Sequence, residues 1–243
     1  ISSMEMSSDG KYVLTGEEYD QTVTLWEDGS KVWETGNFNS VTDVDISSDG
    51  SYITVIDFRN VHVFHKESNE AIWSYNHAPE VMTAVSISPN GQYVAAGTDG
   101  GKVYVYAVSG DNSSDWRHSE ILDGGITDID FSGDSTHFVF GTHDGKVYVY
   151  ETVSEDEEPI FEYNQPEKVT CVSAGPESRY YAFGNVDGIL TIDKDVLVSS
   201  NYQNDVLKVL KTLDKNLNIL DAVSIFSKFI WCVLLIFEFL AIT

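Results

Sequence analysis

The stretch Ser88-Pro-Asn-Gly-Gln-Tyr-Val-Ala-Ala-Gly-Thr-Asp-Gly-Gly-Lys-Val-Tyr-Val-Tyr106 decides the fold. It opens on a turn, because Asn90-Gly91 supplies the positive φ that a tight hairpin needs. The apolar run Tyr93-Val-Ala-Ala96 follows, then a second glycine-rich turn over Gly97-Thr-Asp-Gly-Gly101. Val103-Tyr-Val-Tyr106 alternates with the period of two that marks a strand. Upstream, Met82-Thr-Ala-Val-Ser-Ile87 alternates in the same way and runs into the first turn.

The unit recurs on both sides. The first turn reads Ser7-Ser8-Asp9-Gly10, Ser47-Ser48-Asp49-Gly50, Ser88-Pro89-Asn90-Gly91, Ser132-Gly133-Asp134-Ser135 and Ala174-Gly175-Pro176-Glu177, at offsets of 40, 41, 44 and 42. Before it stands an alternating strand: Val41–Ile46, Met82–Ile87, Ile126–Phe131 or Val169–Ser173. After it come Tyr12–Leu14, Tyr52–Ile56, Tyr93–Ala96, Phe138–Phe140 and Tyr180–Phe183, then second turns such as Gly97–Gly101, Gly141–Gly145 and Gly184–Gly188. Third strands are Thr22–Trp26, Val61–Phe64, Val103–Tyr106, Val147–Tyr150 and Ile189–Ile192. Fourth, edge strands carry Val32-Trp33, Ile72–Tyr75, Trp116 and Ile160–Tyr163.

Four short antiparallel strands per ~40 residues predict a blade of a β-propeller, since stacking blades buries the faces that one sheet leaves wet. The expected fold is all-β: a propeller over 1–203 with blades near 1–40, 41–81, 82–125, 126–168 and 169–203, possessing about five visible units, with a C-terminal helical tail over 204–243. The fifth unit lacks a clear fourth strand, which Asp195-Val-Leu-Val-Ser199 or further blades would supply.

Two resemblances attach to these residues. Ser88 to Tyr106 and Gly141 to Tyr150 resemble WD-repeat blades, although the Gly-His dipeptide and closing Trp-Asp are absent and Trp26-Glu27 is the nearest substitute. Asp28-Gly-Ser-Lys-Val-Trp33 and Asn69-Glu-Ala-Ile-Trp73 are similar to the endings of pyrroloquinoline-quinone-type propeller repeats. Both imply one architecture. The first implies a scaffold binding protein partners on its rim, the second a quinoprotein-like or Ca-dependent enzyme with its site in the channel.

The chain carries 14 Lys and Arg against 39 Asp and Glu, a formal net charge of −25, which repels phosphate backbones and excludes a nucleic-acid binder. Cys171 and Cys232 are too few for a disulfide framework or thiolate metal site. The acidic excess resembles proteins of salt-loving organisms, whose self-repulsion concentrated salt screens; an acidic extracellular surface, with the sequon Asn112-Ser113-Ser114 in a loop, is the rival expectation. The chain begins at Ile1 inside a strand-like pattern, which reads as processing, trimming or a fragment.

The tail differs in kind. Residues 204–243 hold four lysines and four carboxylates, so the whole −25 sits on residues 1–203, and no Gly or Pro follows Gly188. Val206, Leu210, Leu213, Leu217 and Leu220 form one helical stripe, with Lys208, Lys211 and Lys215 on another face. Phe229 to Thr243 is apolar but for Glu238 and spans only ~22 Å as a helix against a ~30 Å hydrocarbon core. A membrane anchor with the propeller on the cytoplasmic side is the expectation, because all four lysines precede the apolar run. A buried or partner-docked helix is one alternative and a non-native tail, such as an altered reading frame, is the other; an upstream export signal would put the propeller outside.

Catalytic candidates are thin. His62 and His65, three apart on a strand, face opposite ways and cannot share a metal, and His143 reads as a turn residue. Asp43/Asp45 and Asp128/Asp130 pair on one face and would suit Ca²⁺ in a channel, but the other units carry Ala84/Ser86 and Thr170/Cys171-Val172 there, which favours solvated or hydrogen-bonded channel acids. The runs Glu17-Glu18-Tyr-Asp20 and Glu155–Glu158 read as solvated loop tips. Quinoprotein chemistry needs neighbouring cysteines, which Cys171 lacks. No catalytic, cofactor-binding or metal-binding residues are assigned, no cofactor is expected, and the reading is a non-enzymatic scaffold.

Overall fold

The computed structural model describes residues 1–110, 124–153 and 159–194. These form five antiparallel sheets in which strands adjacent in sequence are adjacent in space. The first sheet holds β1 (Ser3–Met6), β2 (Tyr12–Glu17), β3 (Thr22–Glu27) and β4 (Ser30–Thr35). The second holds β5 (Val41–Ile46), β6 (Tyr52–Asp57), β7 (Asn60–His65) and β8 (Ala71–Asn76). The third has β9 (Met82–Ile87), β10 (Tyr93–Thr98) and β11 (Val103–Ala107). The fourth has β12 (Ile126–Phe131), β13 (His137–Thr142), β14 (Lys146–Glu151) and β15 (Phe161–Asn164). The fifth has β16 (Val169–Ala174), β17 (Tyr180–Asn185) and β18 (Leu190–Lys194). Trp116, the sequon at Asn112, the acidic run Glu155–Glu158, the strand expected at 195–199 and the tail at 204–243, Cys232 included, lie outside the described residues. Among the described residues there is no helix long and apolar enough to cross a membrane.

The first strands β1, β5, β9, β12 and β16 pack on one another in that order, so they form the inner edge of an array of blades. Period-two alternation explains the core. Within β6, Ile53 and Val55 point back into a cluster with Leu14 and Leu25, while Ile56 points forward into a cluster with Met82 and Val94. Within β10, Val94 and Ala96 point back and Ala95 points forward to Ile126 and Phe140. Every apolar cluster therefore lies between consecutive blades, the last joining Val147 and Val149 to Val172 and Phe183. At roughly 1.5–3 kcal/mol for each fully buried aliphatic or aromatic side chain, these seams are the main cohesive term.

The backward face of the first blade has no such neighbour among the described residues. Met4 and Met6 are 60% and 55% exposed, whereas Val44 and Ile46, their counterparts in the next blade, are 1% and 7% exposed.

Turn chemistry repeats down to the atom. The Ser7, Ser47, Ser88 and Ser132 hydroxyls donate to Asp9, Asp49, Asn90 and Asp134 at 2.7–2.8 Å. Each also accepts the amide five residues on, at 2.9–3.0 Å. Three of these turns place Gly10, Gly50 or Gly91 at φ 68–74°, and Ser135 holds the same place at φ 63°. The hydroxyls of Ser132, Ser178 and Thr136 hold the Asp134 carboxyl down at about 2, outweighing the burial that would raise it.

The structure departs from the sequence expectation at two kinds of turn position. The fifth turn is Gly175–Ser178, one residue later than expected: Gly175 N donates to Tyr180 O, as Ser132 N donates to His137 O, and Ser178 takes the positive φ of 52°. The offset from Ser132 is thus 43. And Gly97, Gly141 and Gly184 are not turn residues but members of β10, β13 and β17. A Cβ on Gly97 would lie 2.4 Å from Ile126 Cγ2, and one on Gly141 2.4 Å from Val169 Cγ1. These glycines let the next inner strand approach closely.

Candidate functional site

The paired aspartates join blades. Asp45 Oδ2 accepts from the Ser86 hydroxyl and the Ile87 amide, both at 2.8 Å, while its Oδ1 accepts the Ile46 amide at 2.8 Å. Asp43 Oδ2 accepts the Val85 amide at 3.0 Å, and its Oδ1 accepts the Ser3 hydroxyl at 2.9 Å and the Val44 amide at 3.0 Å. Asp128 and Asp130 repeat this on the fifth blade, accepting Val172 N at 2.8 Å, Ala174 N at 2.9 Å and the Ser173 hydroxyl at 3.1 Å. Acid-bearing blades two and four thus clamp blades three and five.

By register, the counterparts of Asp43 and Asp45 in the fifth blade are Cys171 and Ser173, not Thr170 and Cys171-Val172: Asp43 pairs with Ile56 as Cys171 pairs with Gly184. Blades three and five carry Ala84/Ser86 and Cys171/Ser173 at these positions, and the carboxylates of blades two and four find donors on those strands.

Burial raises the Asp43 carboxyl to about 6, and repulsion from Asp45 adds to it, against the opposing pull of the Val85, Ser3 and Val44 hydrogen bonds. A raised folded value means that the folded state holds the proton longer than the unfolded chain. This contribution is fully present below the unfolded value near ~4 and is lost as pH rises through ~6. Asp43→Asn, which cannot ionise, is expected to remove roughly 3 kcal/mol of that decline. Denaturation midpoints of both proteins from pH 4 to 7 measure it, and parallel profiles would refute the burial argument.

The histidines that the sequence brought forward make contacts within and between strands and turns. His62 lies with Nδ1 2.7 Å from Ser74 Oγ and Nε2 3.4 Å from Asp57 Oδ1, while His65 meets the edge of Tyr52 at 5.3 Å between ring centres. His143 donates its amide to Gly125 O at 2.9 Å. The tryptophans that carried the quinoprotein-type resemblance latch outer strands instead: Trp33 Nε1 donates to Lys66 O at 2.8 Å and Trp73 Nε1 to Val108 O at 3.1 Å, each on the next blade. Between blades two and three, His77 Nε2 sits 2.7 Å from the Tyr106 hydroxyl, and Glu80 accepts from Tyr104 at 2.6 Å and pairs with Lys102. Burial pushes the Tyr104 and Tyr106 phenols up and the His77 imidazole down.

A depression of about 510 Å³ opens on the rim that bears the β6–β7 turn, lined by Asn39, Phe58, Arg59, Asn60, Asn76 and Ala78. Sister turns run through Thr98-Asp-Gly-Gly101 and Thr142-His-Asp-Gly145, with positive φ on Gly101 and Gly145. The second blade has no glycine here. Asp57 pairs directly with Asn60, leaving a two-residue turn, Phe58-Arg59, with Phe58 at φ 38° and 41% exposed. A bulky residue in that region is costly and marks a position worth a functional account.

Beneath the turn, buried Asp57 accepts the Asn39 amide at 3.0 Å, bonds the Asn60 carboxamide and faces His62; these donors lower its pKa against the burial that would raise it. Asn76 donates to Asn60 at 2.6 Å. Sequence reasoning passed over this site; the signal was the missing glycine in an otherwise regular turn.

The framework is that of a repeat protein built from meandering antiparallel sheets of three or four strands among the described residues. The family model of the WD domain, G-beta repeat matches residues 1–27, 69–107 and 117–151. Over those stretches the chain is similar to WD40 repeats. It is also similar to an uncharacterized WD repeat-containing protein of Schizosaccharomyces pombe, at 32% identity over 73 residues. That match covers 30% of this chain and only 12% of the relative.

Proposed function

We propose that this chain is a non-catalytic WD-repeat scaffold for protein–protein interaction, its blades part of a β-propeller whose rim meets the partner. The observation that supports it is a division of labour. The channel-side acids and outer tryptophans are engaged in joining blades, whereas the rim carries a turn that departs from the repeat and opens a depression. A rigid framework displaying irregular loops suits recognition. We further propose that the tail at 204–243 anchors the blades to a membrane on its cytoplasmic face.

Chemical crosslinking of the full chain in its native extract, followed by affinity capture and carbonate washing of the membranes, tests both. A defined partner crosslinked through rim residues and retention in washed membranes are expected. Absence of any reproducible partner refutes the scaffold, and full release by carbonate refutes the anchor.

A further inference from the structure

We propose that the depression at the Phe58-Arg59 turn is a recognition site for an anionic side chain, carboxylate or phosphate, on a partner polypeptide. The proposal rests on the scaffold reading and assigns its contact point.

Charge makes Arg59 unusual. The chain has 39 carboxylates, yet among the described residues no carboxylate oxygen lies within ion-pair distance of the Arg59 guanidinium. The one acid under the turn, Asp57, is already turned to the Asn39 amide, the Asn60 carboxamide and His62. Arg59 Nε is buried with no hydrogen-bond partner, one of a few such side-chain atoms among the described residues and the one that belongs to a permanently charged group.

Geometry aims the cation. The guanidinium carbon sits 4.6 Å from the centre of the Phe58 ring, within cation–π range, so the ring holds the cation over the turn. The planar guanidinium presents its N–H donors in the fork arrangement that matches a carboxylate or phosphate. The Arg59 carbonyl accepts the His77 amide at 2.8 Å, which ties the turn to the linker beyond β8. The exposed carboxamide of Asn39 shares the depression and adds a neutral donor. Phe58 offers apolar surface to the residue beside the anion.

The test uses the full chain on oriented peptide libraries whose fixed central residue is glutamate, phosphoserine, glutamine or lysine. Arg59→Gln, Arg59→Lys and Phe58→Ala are compared with the wild type. At least tenfold preference for the glutamate or phosphoserine arm over glutamine is expected, and which of the two wins identifies the source of the charge. Arg59→Gln should erase the preference, and Arg59→Lys should restore part of it. The Arg59 Nε–Hε resonance should shift on binding of the winning peptide. Equal binding to all arms, binding to none, or a preference untouched by Arg59→Gln overturns the site. Crosslinking separates the two readings: a partner captured equally by wild type and Arg59→Gln leaves the scaffold standing and removes this site.

Discussion

Asp45→Ala is expected to destabilise the protein by about 4 kcal/mol, a large share of a typical domain's margin. The substitution strips the acceptor from three donors at once: the Ile46 and Ile87 amides and the Ser86 hydroxyl. All three stand at the seam between inner strands, and Asp45 and Ser86 are 7% and 1% exposed. Orphaning a buried donor costs the desolvation already spent on it, which is why truncation exceeds the net worth of the bonds. Asp45→Asn keeps one oxygen and should lose about half as much. Hydrogen exchange gives a local reading: the Ile46 and Ile87 amides should lose protection before the rest of their strands. A loss below about 1 kcal/mol would mean that the clamp contributes nothing net.

Gly97→Val should be at least as damaging. Its Cβ alone would stand 2.4 Å from Ile126 Cγ2 and 2.6 Å from Ile126 Cβ, so blades three and four must separate. Overpacking of this kind costs about 1–3 kcal/mol and more when neither side can yield. Here both residues would be β-branched and stiff about χ1. The molecule uses its own repeats to show the rule. Gly16 faces Val41, Gly97 faces Ile126 and Gly141 faces Val169, but Ile56, at the same register in blade two, shares its cluster with the flexible Met82. Ile126→Ala should therefore rescue Gly97→Val in part, with a coupling of roughly 1–3 kcal/mol in a double-mutant cycle. Gly36→Ala, whose Cβ would meet nothing closer than 3.5 Å, is the neutral control. Purely additive losses would show that the contact is not the cause.

Much of this protein was written in its local pattern. Strand alternation and the Asp-Gly and Asn-Gly turns act within a few residues of each other, so Val41–Ile46, Met82–Ile87 and Ile126–Phe131 were legible as strands, and their repetition as blades. What the pattern could not carry is which face of a strand meets which neighbour about forty residues away. Asp43 and Asp128 were legible as solvated or hydrogen-bonded channel acids rather than metal ligands, but only the stacking of blades shows that their donors are the amides of Val85 and Val172. Gly97 and Gly141 looked like turn residues because glycine's usual role is conformational; their requirement comes from Ile126 and Val169 pressing from the next sheet. Trp33 and Trp73 suggested a cofactor-bearing family until the adjoining strands supplied carbonyls for their indoles. Arg59 was one cation among fourteen basic residues. Its unmatched donors emerge only when Asp57 is seen already satisfied by Asn39 and Asn60, since the pairing of charges is decided by distance in space and not along the chain.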